Sequence, residues 1–295
     1  MANAKEIKER IASIEETRKI TNAMYLISSS KMKQAKEKLA KTEPFFFAVQ
    51  EEISRILCYW PEIENKFFDQ RKAIPKDQRK IGIIAITSDK GLAGAYNHNI
   101  IKEVENLISQ GGIDKLFMIG ESGRYHFSKS HKDELDLDFH YTVQNPTLHR
   151  SRLITNEIIN LFLSGELDEV HVIYTKVKNA VSSETDHIKL LPLQKGAFNQ
   201  YCDVHFAKGS VSFYPSPGAV MDSIVPSYIN GIIYGALVES YCSEHSSRMM
   251  AMQNATDSAD DMLSQLNMTY NRVRQANITQ ELTEVVAGAN AQQRK

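Results

Sequence analysis

Three cysteines in 295 residues, Cys58, Cys202 and Cys242, are too few and too scattered to predict a disulfide framework, and none belongs to a CxxC pair. A reducing cytoplasm is the compartment this implies. Charge of one sign is missing too. With 35 Lys and Arg against 36 Asp and Glu, the formal net charge is -1, which removes the whole-chain basic signature of a nucleic-acid binder. Long apolar runs are also absent: the strongest, IGIIAI and IIYGALV, fall far short of the roughly 20 residues that cross a bilayer. Any dealing with a membrane is expected to go through a partner. The start, MANAKEIKERIASIEE, has no apolar h-region and mixes acids with bases, so neither a signal peptide nor a transit peptide is expected.

What is present is close to globular: 42% hydrophobic and 24% charged residues suit one modest core plus long, partly solvated helices. The length fits one or two domains. Between residues 3 and 57 there is no glycine and a single proline, Pro44. Asn3 with Glu6 resembles a capping box, and Ile7, Ile11 and Ile14 follow the spacing of a coiled-coil seam. Continuing that heptad would place Arg18, Thr21 and Ser28 in the seam. The apolar stripe instead moves to Ile20, Met24 and Ile27, which predicts a phase slip, before returning at Met32, Ala35 and Leu39. Around Pro44 the helix is expected to kink or restart.

After a polar linker at 61–80 the texture changes. KIGIIAIT, KLFMIG, EVHVIYTKV and HIKLLPL read as strands, and NHNIIKEVENLIS and NPTLHRSRLITNEIINLFLSG as helices, the second with a cap-like Asn145-Pro146. This alternation predicts an α/β domain over 78–210 with a mainly parallel sheet. From Ser216-Pro217, a cap followed by proline at the first helical position, helix is expected to residue 295 with an early kink at Pro226. Its seam runs through Cys242, His245, Met249, Met252, Ala259, Leu263, Leu266, Tyr270 and Val273. Some 70 helical residues would extend about 100 Å. The fold class is thus α/β plus a long antiparallel coiled coil, with segments 1–60 and 216–295 pairing beside the central domain.

Chemistry is harder to find. TSDKGLAGAYN (87–97) lies between a strand and a helix, where phosphates bind. Gly94 is followed by Ala95-Tyr96 instead of Lys-Ser, and Gly91 to Gly94 is only GxxG, so neither the P-loop nor the dinucleotide fingerprint is met. The competing account is a tight turn in which Asp89 bonds nearby amides. His126 with His131, and Cys242 with His245, lack further ligands at metal spacing. No catalytic site, metal site or cofactor site is expected. The lysines of KMKQAKEKLAK (31–41) form either a face for an acidic partner or a solvated helix face. Two classes remain: a mechanical protein whose terminal helices engage partners, or an α/β small-molecule-binding protein with helical dimerisation arms. The final RVRQANITQELTEVVAG (272–288) separates them, because its apolar seam weakens after Val273 where a dimerisation arm would keep it.

In order, KEIKERIASIEETRKITNAM with SSKM, then SDKGLAGAYN, then SSRMMAMQNATDSADDML leading to YNRVRQANITQELTEVVAGA resemble the gamma subunit of the F-type rotary ATP synthase. The likeness covers effectively the whole chain. It implies a non-catalytic rotor stalk, with terminal helices inside a hexamer of alpha and beta subunits and a foot joined to the epsilon subunit and the c-ring. It implies a peripheral place on the cytoplasmic face of the bacterial inner membrane, with no direct membrane insertion. It also implies coupling or interface roles for the positions matching Met24, Arg248, Arg274, Gln275, Thr279 and Glu281. The same resemblance favours the acidic-partner account of the lysine run, Lys31 and Lys33 included.

Overall fold

The computed structural model describes residues 4–75, 78–178, 183–201 and 213–293. Contacts divide the chain into two compact units, Met1–Ser28 with Arg248–Lys295, and Ser29–Ser247.

The Ser29–Ser247 unit is organised by a four-stranded sheet in the order β2-β1-β3-β4. Strand β1 (Ile81–Ile86) runs parallel to both β2 (Ile113–Ile119) and β3 (Glu169–Val177). Strand β4 (Ser183–Leu191) closes one edge antiparallel to β3. Because β1 is covered on both faces, it is apolar throughout instead of alternating. Its even and odd residues still go to different neighbours. Ile83 and Ala85 join Tyr96, Ile100 and Val104 of α2 (Tyr96–Gln110) and Phe127 of α3 (Glu121–Ser130). Ile84 and Ile86 join Ile154, Ile158 and Phe162 of α4 (Leu148–Ser164), together with parts of the two long helices α1 (Ala4–Tyr59) and α5 (Pro217–Gln293). Each such side chain fully buried contributes about 1.5–3 kcal/mol, so this two-sided packing holds the unit together.

Local chemistry explains most boundaries. Ser216 Oγ accepts from the Ala219 amide at 3.2 Å, and Pro217 opens α5 as its sequence predicts. Helix α4 is capped differently from expectation. Thr147 Oγ1, not Asn145, accepts from the Arg150 amide at 3.3 Å, while Asn145 takes a positive φ of 50° and accepts from Lys38 Nζ at 2.7 Å. Gly165, left-handed at φ 81°, ends that helix. Helix α3 was not expected. It needs Gly120 at φ 94°, where a Cβ would sit 2.2 Å from the Thr87 carbonyl oxygen.

Three readings of the sequence are refined or corrected in this unit. Of the kink or restart expected at Pro44, the restart does not occur: helix α1 continues through it. Pro44 and Ala40, whose carbonyl loses its helical donor, are both exposed, so solvent can replace the missing bond. Phe46 next along is seated against Gly231 and stacks near Tyr234 at 6.2 Å, which fixes the continuation. The polar linker expected at 61–80 contains packed structure among its described residues. It carries a 3-10 turn, Lys66–Phe68, with Asn65 capping it and Phe67 and Phe68 buried. Beyond that turn, the Arg71 guanidinium bonds the Leu167 carbonyl at 2.9 Å, the Phe162 carbonyl and Asp168, and lies 4.5 Å from the centre of the Phe162 ring. Finally, Cys58 is disulfide-bonded, against the expectation drawn from the scattered cysteines, while Cys242 is free and buried. Asn3 and Cys202 lie outside the described residues.

In the other unit the two helices pair antiparallel. Arg18 meets Asp260 at 2.7 Å and the Thr21 and Thr256 hydroxyls meet at 2.7 Å, so partners fall as residues rise. Ile7, Met252, Ala259 and Leu263 are buried, and Ile11, Ile14, Leu266, Tyr270 and Val273 half-buried. The seam keeps its heptad phase where a slip was expected. Thr21 and Ser28 are 8% and 1% exposed, whereas Ile20 and Ile27 are 61% and 54% exposed. Thr256 and Asp260 answer the polar residues across the seam, so holding phase leaves Thr21 and Arg18 bonded instead of stranded.

Candidate functional site

The strand-to-helix loop at 87–97 is closed by Ser88 and Asn97 and tied by Asp89 to residues 121 and 142–144. Ser88 and Asn97 close it: Asn97 Oδ1 accepts from the Ser88 amide at 2.9 Å, and Asn97 Nδ2 donates to Ser88 Oγ at 2.8 Å. Asp89 accepts from the amides of Val143 and Gln144, both at 3.2 Å, from the Glu121 amide at 3.3 Å, and from the Thr142 hydroxyl. A phosphate arriving here would meet the Asp89 carboxylate. The turn account of this loop therefore fits the geometry.

The histidines and the free cysteine are engaged in packing. His126 Nε2 pairs with Glu105 at 2.8 Å, and the His245 ring lies 4.4 Å from that of Tyr241. Burial pushes the Cys242 thiol up to about 11, so it stays protonated at neutral pH and is a poor nucleophile. Among the described residues no three His, Cys, Asp or Glu side chains are grouped to hold a metal. No helix among them is long and apolar enough to cross a membrane.

What remains conspicuous is the end of α5. Every described side chain from Arg274 to Asn290 is exposed. The helix is held there by its own bonds, such as Thr279 Oγ1 to the Gln275 carbonyl at 2.9 Å and Gln280 to Glu284 at 3.0 Å. Arg274, Gln275, Thr279 and Glu281 are brought together within two turns. Ile278, Leu282, Val285 and Val286 are 48%, 62%, 70% and 57% exposed at helical spacing, a stripe left unburied. Their i, i+4, i+7, i+8 pattern was the available signal.

The ATP synthase family model matches residues 3–292. The chain belongs to the ATP synthase gamma-chain family. It is 44% identical over 99% of both chains to the ATP synthase gamma chain of Acetivibrio thermocellus, and 43% identical over 98% of both to that of Ruminiclostridium cellulolyticum. It is also 34% identical, over 98% of each, to the sodium-ion-specific gamma chain of Acetobacterium woodii. Among solved structures, a chain of the Tetrahymena thermophila mitochondrial ATP synthase central stalk and c-ring matches with a TM-score of 0.59 and 27% identity, over 80% of this chain and 99% of that one. A Euglena gracilis mitochondrial ATP synthase chain at 15% identity and TM-score 0.54 shares the fold. As a gamma chain this is a non-catalytic subunit of the synthase.

The other residues singled out for gamma-chain coupling are dispersed. Lys31 and Lys33 are exposed on α1, Met24 is half-buried, and Arg248 is buried at 6% exposure. Lys38, from the same basic run, is already bound to Asn145. Lys31 and Lys33 thus offer surface charge, whereas Arg248 has left solvent before any partner subunit arrives.

Proposed function

We infer that this chain is the central rotor stalk of an F-type ATP synthase, carrying rotation between the membrane c-ring and catalytic sites on the beta subunits. Its partners are the alpha and beta hexamer, the epsilon subunit and the c-ring, and its place is the cytoplasmic face of the bacterial cell membrane. The observation that carries this reading is the tip of α5: a helix with an apolar stripe, wholly exposed after Val273, needs a sleeve from other chains. Arg274, Gln275, Thr279 and Glu281 give that sleeve polar contacts; a charge-assisted bond of about 1.5–3 kcal/mol biases one rotational position yet breaks under torque. Met24 and Arg248 would set the stiffness of the paired helices, and Lys31 and Lys33 would meet acidic residues of the hexamer. In functional terms segments 1–60 and 216–295 form the shaft and 78–210 the foot. The alternative of helical dimerisation arms loses its basis, because Arg18–Asp260 and Thr21–Thr256 pair these helices within one chain.

Hydrogen exchange tests the reading. Amides of 276–290 should exchange fast in the free chain and slow at least tenfold once alpha, beta and epsilon are assembled around it. Equal exchange in both states would sink it.

A further inference from the structure

Three helices of the Ser29–Ser247 unit surround a cavity of about 350 Å³, to which α1 gives Lys41 and Phe45, α4 gives Leu148 and Arg152, and α5 gives Pro226 and Asn230. That volume falls within the ~300–1,000 Å³ of small-molecule sites. The ionised groups in its lining are Lys41 and Arg152, with no carboxylate among them. Both side chains are exposed, and neither makes an ion pair or hydrogen bond among the described residues. Elsewhere in the unit cations are matched, as Arg71 is by Asp168 and Lys189 by Glu169. Asn230 adds a second sign of a ligand. It is only 9% exposed. Its Oδ1 accepts from the Ser151 hydroxyl at 2.7 Å, while its Nδ2 donates to no group among the described residues. A donor so far withdrawn from solvent is costly to leave without an acceptor.

We propose that this cavity binds a small phosphate monoester with a flat apolar body. Arg152 and Lys41 take the phosphoryl oxygens, the Asn230 amide donates to one of them, and the body lies against Phe45 and Leu148. A phosphate monoester carries close to two negative charges at neutral pH, which two cations match; a carboxylate would leave one of them over. A guanidinium grips two such oxygens at once. Phe45 and Leu148 are 59% and 37% exposed. Water bound to the Asn230 amide would leave both uncovered, whereas an apolar body takes their surface out of solvent. Nothing in this site depends on the rotor reading, since the tip of α5 takes no part in it.

The test titrates the full chain with phenyl phosphate, followed by ligand-observed NMR, and repeats the titration with inorganic phosphate and with phenol. Phenyl phosphate should saturate one site with a Kd below about 1 mM, and each half-molecule should bind at least tenfold more weakly. Arg152→Gln and, separately, Lys41→Gln should each weaken phenyl phosphate at least fivefold. Because both side chains are exposed and unpaired, the thermal midpoint of either variant should stay within about 2 °C of wild type. No saturation by about 10 mM, either half-molecule binding within tenfold of the whole, or a loss below fivefold for either substitution would overturn the proposal.

Discussion

Across the sheet of the Ser29–Ser247 unit, Ile84, Phe117, Ile154, Phe162 and Leu237 are exposed by no more than 1%. Across the paired helices of the other unit, the central positions of α1 include Arg18, Thr21 and Ser28, and apolar Ile20, Leu26 and Ile27 face outward at 61%, 60% and 54%. The first region buries an apolar core of its own, although Phe45 and Phe47 stay 59% and 51% exposed. The second keeps hydroxyls and an ion pair between its strands of helix and leaves isoleucine and leucine to the surroundings. A body that must hold shape alone and a shaft that must be held by others call for these opposite arrangements.

The sharpest way to break the contrast is to cut into each side with a comparable change. Phe162→Ala should destabilise the isolated chain by about 3–5 kcal/mol, because the ring is 1% exposed and also carries Arg71; urea unfolding reads this. A loss below about 1 kcal/mol would show that the sheet unit is as tolerant as the shaft.

Acid should separate the regions next. In the sheet unit burial alone would raise the Glu169 carboxyl, but hydrogen bonds from Lys189 and Arg79 outweigh it and bring it down from 4.5 to about 2. A depressed folded pKa means the stabilisation is complete above about 4.5 and is lost as pH falls towards about 2. Glu169→Gln should therefore be less stable than wild type at pH 7, and the gap should shrink through that window. Parallel curves would rule out this cluster as the source.

In the shaft the expected effects are smaller. Thr21→Val alone removes the bond across the helices, although the Thr256 hydroxyl keeps the Met252 carbonyl at 2.9 Å, and should cost about 1 kcal/mol, while adding Thr256→Val should cost little more. A double variant much worse than the single one would mean the hydroxyl pair is not the unit of interaction. Smallest of all is removal of residues 276–295. With every described side chain from Arg274 to Asn290 exposed, the thermal midpoint of the free chain should move by less than about 2 °C, although assembly with alpha and beta should weaken.

The same division governs what could be read from the sequence. The strands were legible because IGIIAI and EVHVIYTKV are short, β-rich and buried, and the start of α5 because Ser216 and Pro217 cap locally. The tip was legible as the place where the seam runs out at Val273. Helix α3 was hidden because its stability comes from contact: Gly123 lies so close to Met118 and Thr87 that a Cβ would come within 2.1 Å and 2.8 Å of them. The continued seam was hidden because Thr21 and Arg18 look like defects until Thr256 and Asp260 stand opposite. Of the candidate coupling residues, the tip group came from the family resemblance; the failing seam marked only the segment that carries it. The burial of Arg248 was not legible, since nothing local to HSSRMM marks a guanidinium as withdrawn from water.

Arg71 has a consequence for how force leaves α1. One guanidinium grips the Phe162 and Leu167 carbonyls and the Asp168 carboxylate, and Arg79 in turn grips the Arg71 carbonyl at 3.3 Å and Glu169. Bonds gathered on one side chain are loaded side by side. A tug arriving along 61–80 must shear them together, whereas bonds strung along a chain peel one after another. The join between long helix and sheet thus resists like a rivet and not like a zip, and a sudden jerk is shared before any single bond gives way.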